Sequence, residues 1–564
     1  MKRLLIALLL CLPAIPYAGA RTVLDKSTVP PHLADNGRGF IILGGELGNS
    51  AATCREDIRQ NLEKVASLGL NTVLVPVSWD LLEPKEGVFD FSLTEEVIDA
   101  AADNGLGVVF LWFGAWKNSM SCYAPEWVKT DTQRFPRART RSGKPLEIVT
   151  PFSTALLDAD SKAFEAWLSH LIRYDRQEVV KMVQIENEIG MLEDARDHSH
   201  LAEMVYSKGV PELLTRHLAL NRAHLHRDLK LRWEANGSKM SGTWTEVFGN
   251  DIFTDEYFMA WNYARYVEQM ARIGRRHTSI PFYLNAALNS RGRKPGEYPS
   301  AGPLAHLKDI WHAGAPTIDF LSPDIYDSGF KDWASQYALT DNVLFIPEVR
   351  RDDSNAAQAY YVIGHHKALG ISPFSIENGD ADYASTLAPA YGVIGRLTPL
   401  LTARKSGDFS DGVLLSRERP DTVLTDGNTR ISLSHFFTLP WDPRATDGSR
   451  WRDSGAIIMR IAPDEYILAG TGVVAKFEDI AEHSAAVRLG EDGFAQSGGE
   501  GPRSAGDGDS VRVGLVSVTE GNILPDGSLE RIRSLNGDET HQGRHARISV
   551  DDNKILHIKI YRYN

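Results

Sequence analysis

Two hydrophobic periodicities share this chain and part company near residue 400. Before that point, short apolar runs alternate with stretches whose apolar residues recur every third or fourth position. The first run, 40–43, ends in Gly44-Gly45-Glu46-Leu47-Gly48-Asn49-Ser50, a buried strand passing into a polar, glycine-rich turn. A helix is predicted next, with Ile58, Leu62, Val65 and Leu68 along one face and Gly69 ending it. The run 72–77 is nearly all apolar, as a strand covered on both faces should be, and Ser78-Trp79-Asp80 follows it. The cycle repeats through a helix at 95–104, a strand at 108–112, a loop at 113–127 and a helix carrying Phe164, Trp167, Leu168, Leu171 and Ile172. It then reaches Met182-Val183-Gln184-Ile185-Glu186-Asn187-Glu188, where an apolar run ends abruptly in amides and carboxylates. Packing alone does not favour such groups, so chemistry is expected there.

Later runs at 282–284, 320–322, 343–346 and 371–376 bring the strands to eight. Alternating strands and helices predict a parallel α/β sheet with right-handed crossovers, either open and doubly wound or closed. Polar or aromatic residues stand at the C-terminal end of each strand, and no G-x-G-x-x-G follows one. Both observations select the closed (β/α)8 TIM barrel, which keeps its working groups at that face. The long segment 191–258 is an insertion over the same face, read as part helical bundle and part substrate wall, with Trp244, Phe248, Phe253, Tyr257 and Phe258 among its aromatics. Beyond residue 401, short alternating runs separated by Gly, Asp, Asn and Pro predict an antiparallel, β-sandwich-like domain over 401–564, with a glycine-rich loop at 497–510. The catalytic unit is therefore expected over 21–400.

The N-terminus changes the picture of where the chain works. Met1-Lys2-Arg3, an apolar run at 4–12 and Ala18-Gly19-Ala20 form a signal-peptide pattern over 1–20 with cleavage after Ala20. A periplasmic or extracellular protein is expected, with no membrane attachment after cleavage, since no later segment holds eighteen uninterrupted apolar residues. A formal charge of -13 without a basic stripe argues against nucleic acid and suits a neutral ligand. Cys54 and Cys122 remain after cleavage, and their spacing neither requires nor excludes a disulfide. The histidine pairs His198/His200, His224/His226 and His365/His366 lack a matching third ligand, so neither metal nor cofactor is expected.

Cleaving a glycosidic bond takes one carboxylic acid to protonate the leaving oxygen and a second carboxylate to attack or to activate water. Glu188 is the first candidate. Glu348 is the second, ending the apolar run 343–346 and preceding Arg350 and Arg351, cations that would keep it ionised. Two alternatives stay open on the residues alone. Glu348 could instead be a structural ion pair with those arginines, and Glu186, sharing strand-face parity with Glu188, could be the acid.

The stretch Gln184-Ile185-Glu186-Asn187-Glu188-Ile189-Gly190 resembles the signature of glycoside hydrolase family 35, the retaining β-galactosidases. Gly69-Leu70-Asn71-Thr72-Val73 with Trp79, Glu83-Pro84, Gly87 and Phe89-Asp90-Phe91 is similar to that family's second strand and turn. Trp112-Phe113-Gly114-Ala115-Trp116-Lys117-Asn118 with Tyr123-Ala124-Pro125-Glu126-Trp127 resembles a bacterial subgroup with an added C-terminal β domain. The resemblance spans about 35–390. It implies double displacement with Glu188 as acid/base and Glu348 as nucleophile, their carboxyls roughly 5 to 5.5 Å apart. It further implies Asn187 on the sugar 2-hydroxyl, Tyr326 on the nucleophile and a raised pKa on the acid rather than on the nucleophile. Where many members carry Ala-Glu-Trp after strand three, this chain has Gly114-Ala115-Trp116, and Pro76 stands where strand two is expected to offer a tyrosine. Glu46, Asn118 and Trp116 are candidates to replace those contacts, Trp116 as an apolar platform for a pyranose.

The function expected is a secreted exo-β-galactosidase acting on oligo- or polysaccharides, with plant cell-wall side chains as one source. The same machinery on another terminal sugar (glucose, glucosamine or arabinose) is the alternative within enzymes. A non-catalytic glycan-binding protein is the alternative outside them.

Overall fold

The structure, a computed structural model, describes residues 21–439, 441–483 and 511–563. The signal-peptide pattern and the glycine-rich loop therefore lie outside the described residues. Eight parallel strands close a barrel in chain order: β1 (Ile42–Glu46), β2 (Thr72–Ser78), β3 (Gly107–Lys117), β4 (Val180–Asn187), β5 (Phe282–Ala287), β6 (Phe320–Ile325), β7 (Ile346–Val349) and β8 (Gly370–Pro373). The larger helices around them are α1 (Arg55–Ser67), α2 (Ser92–Asp103), α3 (Thr154–Tyr174), α4 (Ile252–Gly274), α5 (Lys308–Gly314), α6 (Phe330–Tyr337), α7 (Asn355–His365) and α8 (Ala381–Thr402). The periodicity explains these helices. On α1 the predicted Ile58, Leu62 and Val65 have no exposed surface, and the Cys54 side chain caps the first turn. Cys54 and Cys122 are both free and exposed.

Strand alternation divides the core in two. Ile42, Leu74, Val109, Leu111, Met182, Tyr283, Phe320, Phe345 and Leu369 fill the barrel, while intervening residues such as Val73, Val75, Phe110, Trp112 and Val183 pack outward against helices. A three-stranded ribbon (Val23–Asp25, His32–Asp35, Arg38–Phe40) lies at the N-terminal end, where Leu33 joins the inner core. Polar residues dominate the opposite, C-terminal mouth. Two predicted strands shift in position: the seventh runs 346–349 rather than 343–346, which places Glu348 inside it, and the eighth stops at Pro373.

The insertion is helical (His200–Tyr206, Glu212–Leu220, Arg227–Ala235, Trp244–Phe248) and runs into α4. Its aromatics pack on one another instead of forming a wall. Trp244 stacks on Phe248 at 5.9 Å and meets Phe258 edge-on at 5.4 Å, and all three are buried. Beyond α8 come two antiparallel sheets of six and four strands, which share a second core of Val413, Ile458, Leu468 and Ile558 with Ile431, Leu433, Phe477 and Ile548. This region is seated on the barrel, since Ile457, Met459 and Ile467 belong to the barrel's outer core beside Tyr360 and Ile363 of α7. Among the described residues no helix is long and apolar enough to cross a membrane.

Candidate active site

Strand irregularity builds the mouth. A regular β4 would send Gln184, Glu186 and Glu188 to one face. Left-handed backbone at Glu186 (φ 59°) and Glu188 (φ 44°) breaks that alternation. For residues with a Cβ such backbone costs on the order of 1–3 kcal/mol, and it persists only where the surroundings over-determine it. The result is that the two glutamates part.

Glu186 turns away from the mouth. Its carboxyl accepts the Trp116 N–H at 2.8 Å and the Ala115 N–H at 3.2 Å. Beside it Asp160 accepts the Trp112 indole at 3.0 Å and the Tyr266 hydroxyl at 2.8 Å. Burial, and then the charge of Asp160, holds the Glu186 carboxyl well above the usual range, so it stays protonated and donates to Asp160. Gly114 makes room for this pair and its donor: a Cβ there would overlap Trp112 Nε1 and lie 2.7 Å from Glu186 Oε1 and 2.8 Å from Asp160 Oδ1.

Glu188 enters the mouth, buried to 5 % exposure. Its N–H is accepted by Asn285 Oδ1 at 2.9 Å, and Asn285 in turn donates to Asp324 at 2.6 Å. The Asn118 amide donates to Glu188 Oε2, and the Lys117 ammonium lies 3.7 Å from the same oxygen. At that range two opposite charges at a protein's usual effective dielectric attract by about 4 kcal/mol. Asn118 itself has left-handed backbone (φ 49°), and its N–H is accepted by the Asn187 carbonyl, which ties the end of β3 to that of β4.

Glu348 faces Glu188 from β7, where the register with β8 slips between Ile346 and Val349. Tyr326 donates its hydroxyl to Glu348 Oε1, while Oε2 has no hydrogen-bond partner. Burial, and then the charge of Glu188, pushes the Glu348 carboxyl up to about 7, against the opposing pull of Lys117 and Tyr326. Glu46, at the end of β1, is also held well above the carboxylate range, first by burial and then by the charge of Glu348. Asp324 is raised for the same two reasons. Burial disfavours the Lys117 ammonium, but the four surrounding carboxylates outweigh that and raise its pKa.

The mouth thus unites five of the seven candidates directly: Glu46, Asn118, Glu188, Tyr326 and Glu348. Asn187, buried to 1 % exposure, is the sixth, and neither atom of its side-chain amide finds a protein partner. Leaving a buried polar group unpaired costs about 1–3 kcal/mol, so an orphaned amide marks a place for a ligand hydroxyl. Trp116 is not part of the mouth. It has no exposed surface, donates its indole to Val149 O at 3.1 Å and meets Tyr263 and Tyr266 edge-on, so it cannot carry a sugar. Arg350 and Arg351 form no salt bridge to Glu348 among the described residues; the neighbouring cation is Lys117. Lys117, Asn285 and Asp324 were not singled out from the sequence. The last two were within reach of simple alternation, two residues beyond Tyr283 and four beyond Phe320. So was Lys117, four residues beyond Phe113, although the β3–β4 pairing register slips between Trp112 and Lys117. Among the described residues no group of three His, Cys, Asp or Glu could hold a metal ion.

Comparison with known proteins bears on both halves of the chain. A family model described as "Beta-galactosidase" matches residues 50–227, and one described as "Domain of unknown function (DUF5597)" matches 387–547. The chain is 30% identical to a beta-galactosidase of Xanthomonas manihotis over 210 residues, 36% of this chain and 32% of that protein. It is 29% identical to human Beta-galactosidase-1-like protein 3 over 191 residues, 33% of this chain and 27% of that protein. It therefore spans about a third or less of the length of these relatives. Among solved structures, the beta-galactosidase of Halorubrum lacusprofundi aligns with a TM-score of 0.44 at 16% identity, covering 63% of this chain and 58% of that one. That of Marinomonas ef1 aligns with a TM-score of 0.44 at 13% identity, covering 65% and 62%.

Proposed function

We propose that this protein is a retaining β-glycoside hydrolase of the family 35 type, removing terminal β-galactosyl residues from oligo- or polysaccharides. The observation that carries the reading is the facing pair Glu188 and Glu348, on strands four and seven, each held by its own donor and each leaving an oxygen for substrate. Glu348 Oε2, bare of partners, attacks the anomeric carbon while Tyr326 steadies Oε1. Glu188, fixed through Oε2, delivers a proton to the glycosidic oxygen. Formation of the glycosyl ester removes the charge of Glu348, after which Glu188 takes the proton from an attacking water and the ester is cleaved. In the resting site a raised Glu348 pKa runs against the simple expectation for a nucleophile. The ionised form of Glu348 is the one that attacks, and the Lys117 charge and the Tyr326 hydroxyl favour it. Asn187 donates to the sugar 2-hydroxyl, a contact that strengthens in the transition state.

Galactose is supported by the matched family's description and by the names of the relatives, and export by the pattern at residues 1–20. The test is release of p-nitrophenol from a panel of p-nitrophenyl β-glycosides, among them the galactoside, glucoside, N-acetylglucosaminide and an α-L-arabinoside. Turnover of the β-galactoside above all others supports the reading. Preference for another sugar overturns the sugar but keeps the mechanism, and binding without turnover of any substrate overturns both.

A further inference from the structure

A lysine buried to 5 % exposure inside a barrel is unusual, because its ammonium gives up water that only strong partners replace. Lys117 shares the strand parity of Val109, Leu111 and Phe113, which face the barrel interior, whereas Trp112 and Trp116 have the opposite parity and lie in the outer layer. Its ammonium sits 5.2 Å from the centroid of the Phe113 ring and 3.7 Å from Glu188 Oε2. The charged groups acting on it come from four directions: Glu188 at the end of β4, Glu348 on β7, Glu46 on β1 and Asp324 on β6. From its own loop Tyr123 and Cys122 also sense it. Among the described residues it is the cation that acts on Glu46, Asp324 and Glu348 together.

We infer that Lys117 is a positioning residue of the hydrolytic centre: its ammonium holds Glu188 and supplies the counter-charge that lets Glu188 and Glu348 face one sugar ring. The inference rests on the double displacement proposed above and adds a part to it. During turnover the carboxylate charge of Glu348 disappears into the ester and Glu188 alternates between acid and base. Lys117 is the fixed charge against which both changes occur. It steers Glu188 from the side opposite the substrate, together with Asn118, and leaves the outer oxygen free. Removing it makes ionisation of Glu348 harder, so the acid limb of turnover moves upward.

Two measurements on Lys117→Met, Lys117→Gln and Lys117→Arg test this. The first is kcat/KM against pH on the best aryl glycoside of the panel. The acid limb should move up by about one pH unit or more in the Met and Gln variants, and stay near wild type in the Arg variant, which keeps the charge. Unmoved limbs in the Met and Gln variants overturn the inference, and so does an Arg variant shifted as far as they are. The second measurement needs no activity: the difference in thermal midpoint between wild type and each variant at pH 5 and at pH 8. A counter-charge is needed most when the carboxylates are ionised, so the Met and Gln variants should lose more at pH 8. A pH-independent loss, the mark of packing alone, overturns the inference, and a variant that folds at pH 5 but not at pH 8 supports it. A wild type inactive on every glycoside refutes the hydrolase reading, while the midpoint comparison still decides the place of Lys117 as counter-charge.

Discussion

Two acidic clusters stand back to back at the end of the fourth barrel strand, and they differ in one respect. Behind the strand, Glu186 and Asp160 share a proton and are enclosed by donors from Ala115, Trp116, Trp112 and Tyr266. Within the mouth, Glu46, Glu188, Asp324 and Glu348 crowd around one lysine, and polar atoms of Asn187, Asp324, Glu46 and Glu348 are left without partners. Both clusters are buried and both hold a raised carboxyl. A closed ledger of hydrogen bonds marks structure, and an open one marks a site. Burial and a perturbed pKa do not by themselves separate the two.

Variants should break the comparison along that line. Glu348→Ala and Glu188→Gln have the largest expected effect on rate, with loss of about 10²–10⁴-fold or more in kcat. Both should fold, Glu348→Ala with a thermal midpoint equal to or above wild type because it relieves repulsion in the mouth, and Glu188→Gln with one somewhat below it because Lys117 loses its nearest counter-charge. Unfolded variants on circular dichroism would place Glu188 and Glu348 in the structural class. Glu186→Ala should instead unfold the protein more easily by about 2–5 kcal/mol, since it leaves the Ala115 and Trp116 N–H groups buried without an acceptor, and denaturant titration measures it. Gly114→Ala should destabilise the same cluster by about 1–3 kcal/mol, because the new methyl meets the Trp112 indole and both carboxyls. The smallest effect concerns pH. Glu348 carries a folded pKa of about 7 against an ordinary 4.5, so the native state binds its proton more tightly than the unfolded chain does. Its contribution to stability is fully present below pH 4.5 and is lost as pH rises through 7. Glu348→Gln should therefore stabilise more at pH 8 than at pH 5, by no more than about a few kcal/mol, and thermal unfolding at the two pH values checks it.

Much of the barrel was legible because its cause is local. Runs such as 72–77 can only be strands, Ile58, Leu62 and Val65 can only share a helical face, and strand-end polarity separates a barrel from an open sheet. Part of the mouth was legible for the same reason: Glu188, Asn187 and Glu348 announce themselves as polar groups closing apolar runs. The remainder depends on departures from the pleat that no local pattern encodes. Parity put Glu186 beside Glu188, and two left-handed residues separate them. The sequence suggested Arg350 and Arg351 as the neighbours of Glu348, whereas closure of the barrel brings Lys117 there from the third strand. Trp116 has the composition of a sugar platform, but the tyrosines Tyr263 and Tyr266, distant in sequence, enclose it. In each case a long-range neighbour, invisible along the chain, decides where the side chain goes.

The central claim is that Glu348 is the nucleophile of a double displacement with Glu188 as its acid/base. It is tested most directly by turnover of an activated β-glycoside by Glu348→Gly in the presence of azide. With Glu348 as the nucleophile, azide restores product formation and the product is the α-glycosyl azide, formed by inversion in the space vacated by the carboxylate. Failure of azide to act, or a β-configured azide product, would contradict it.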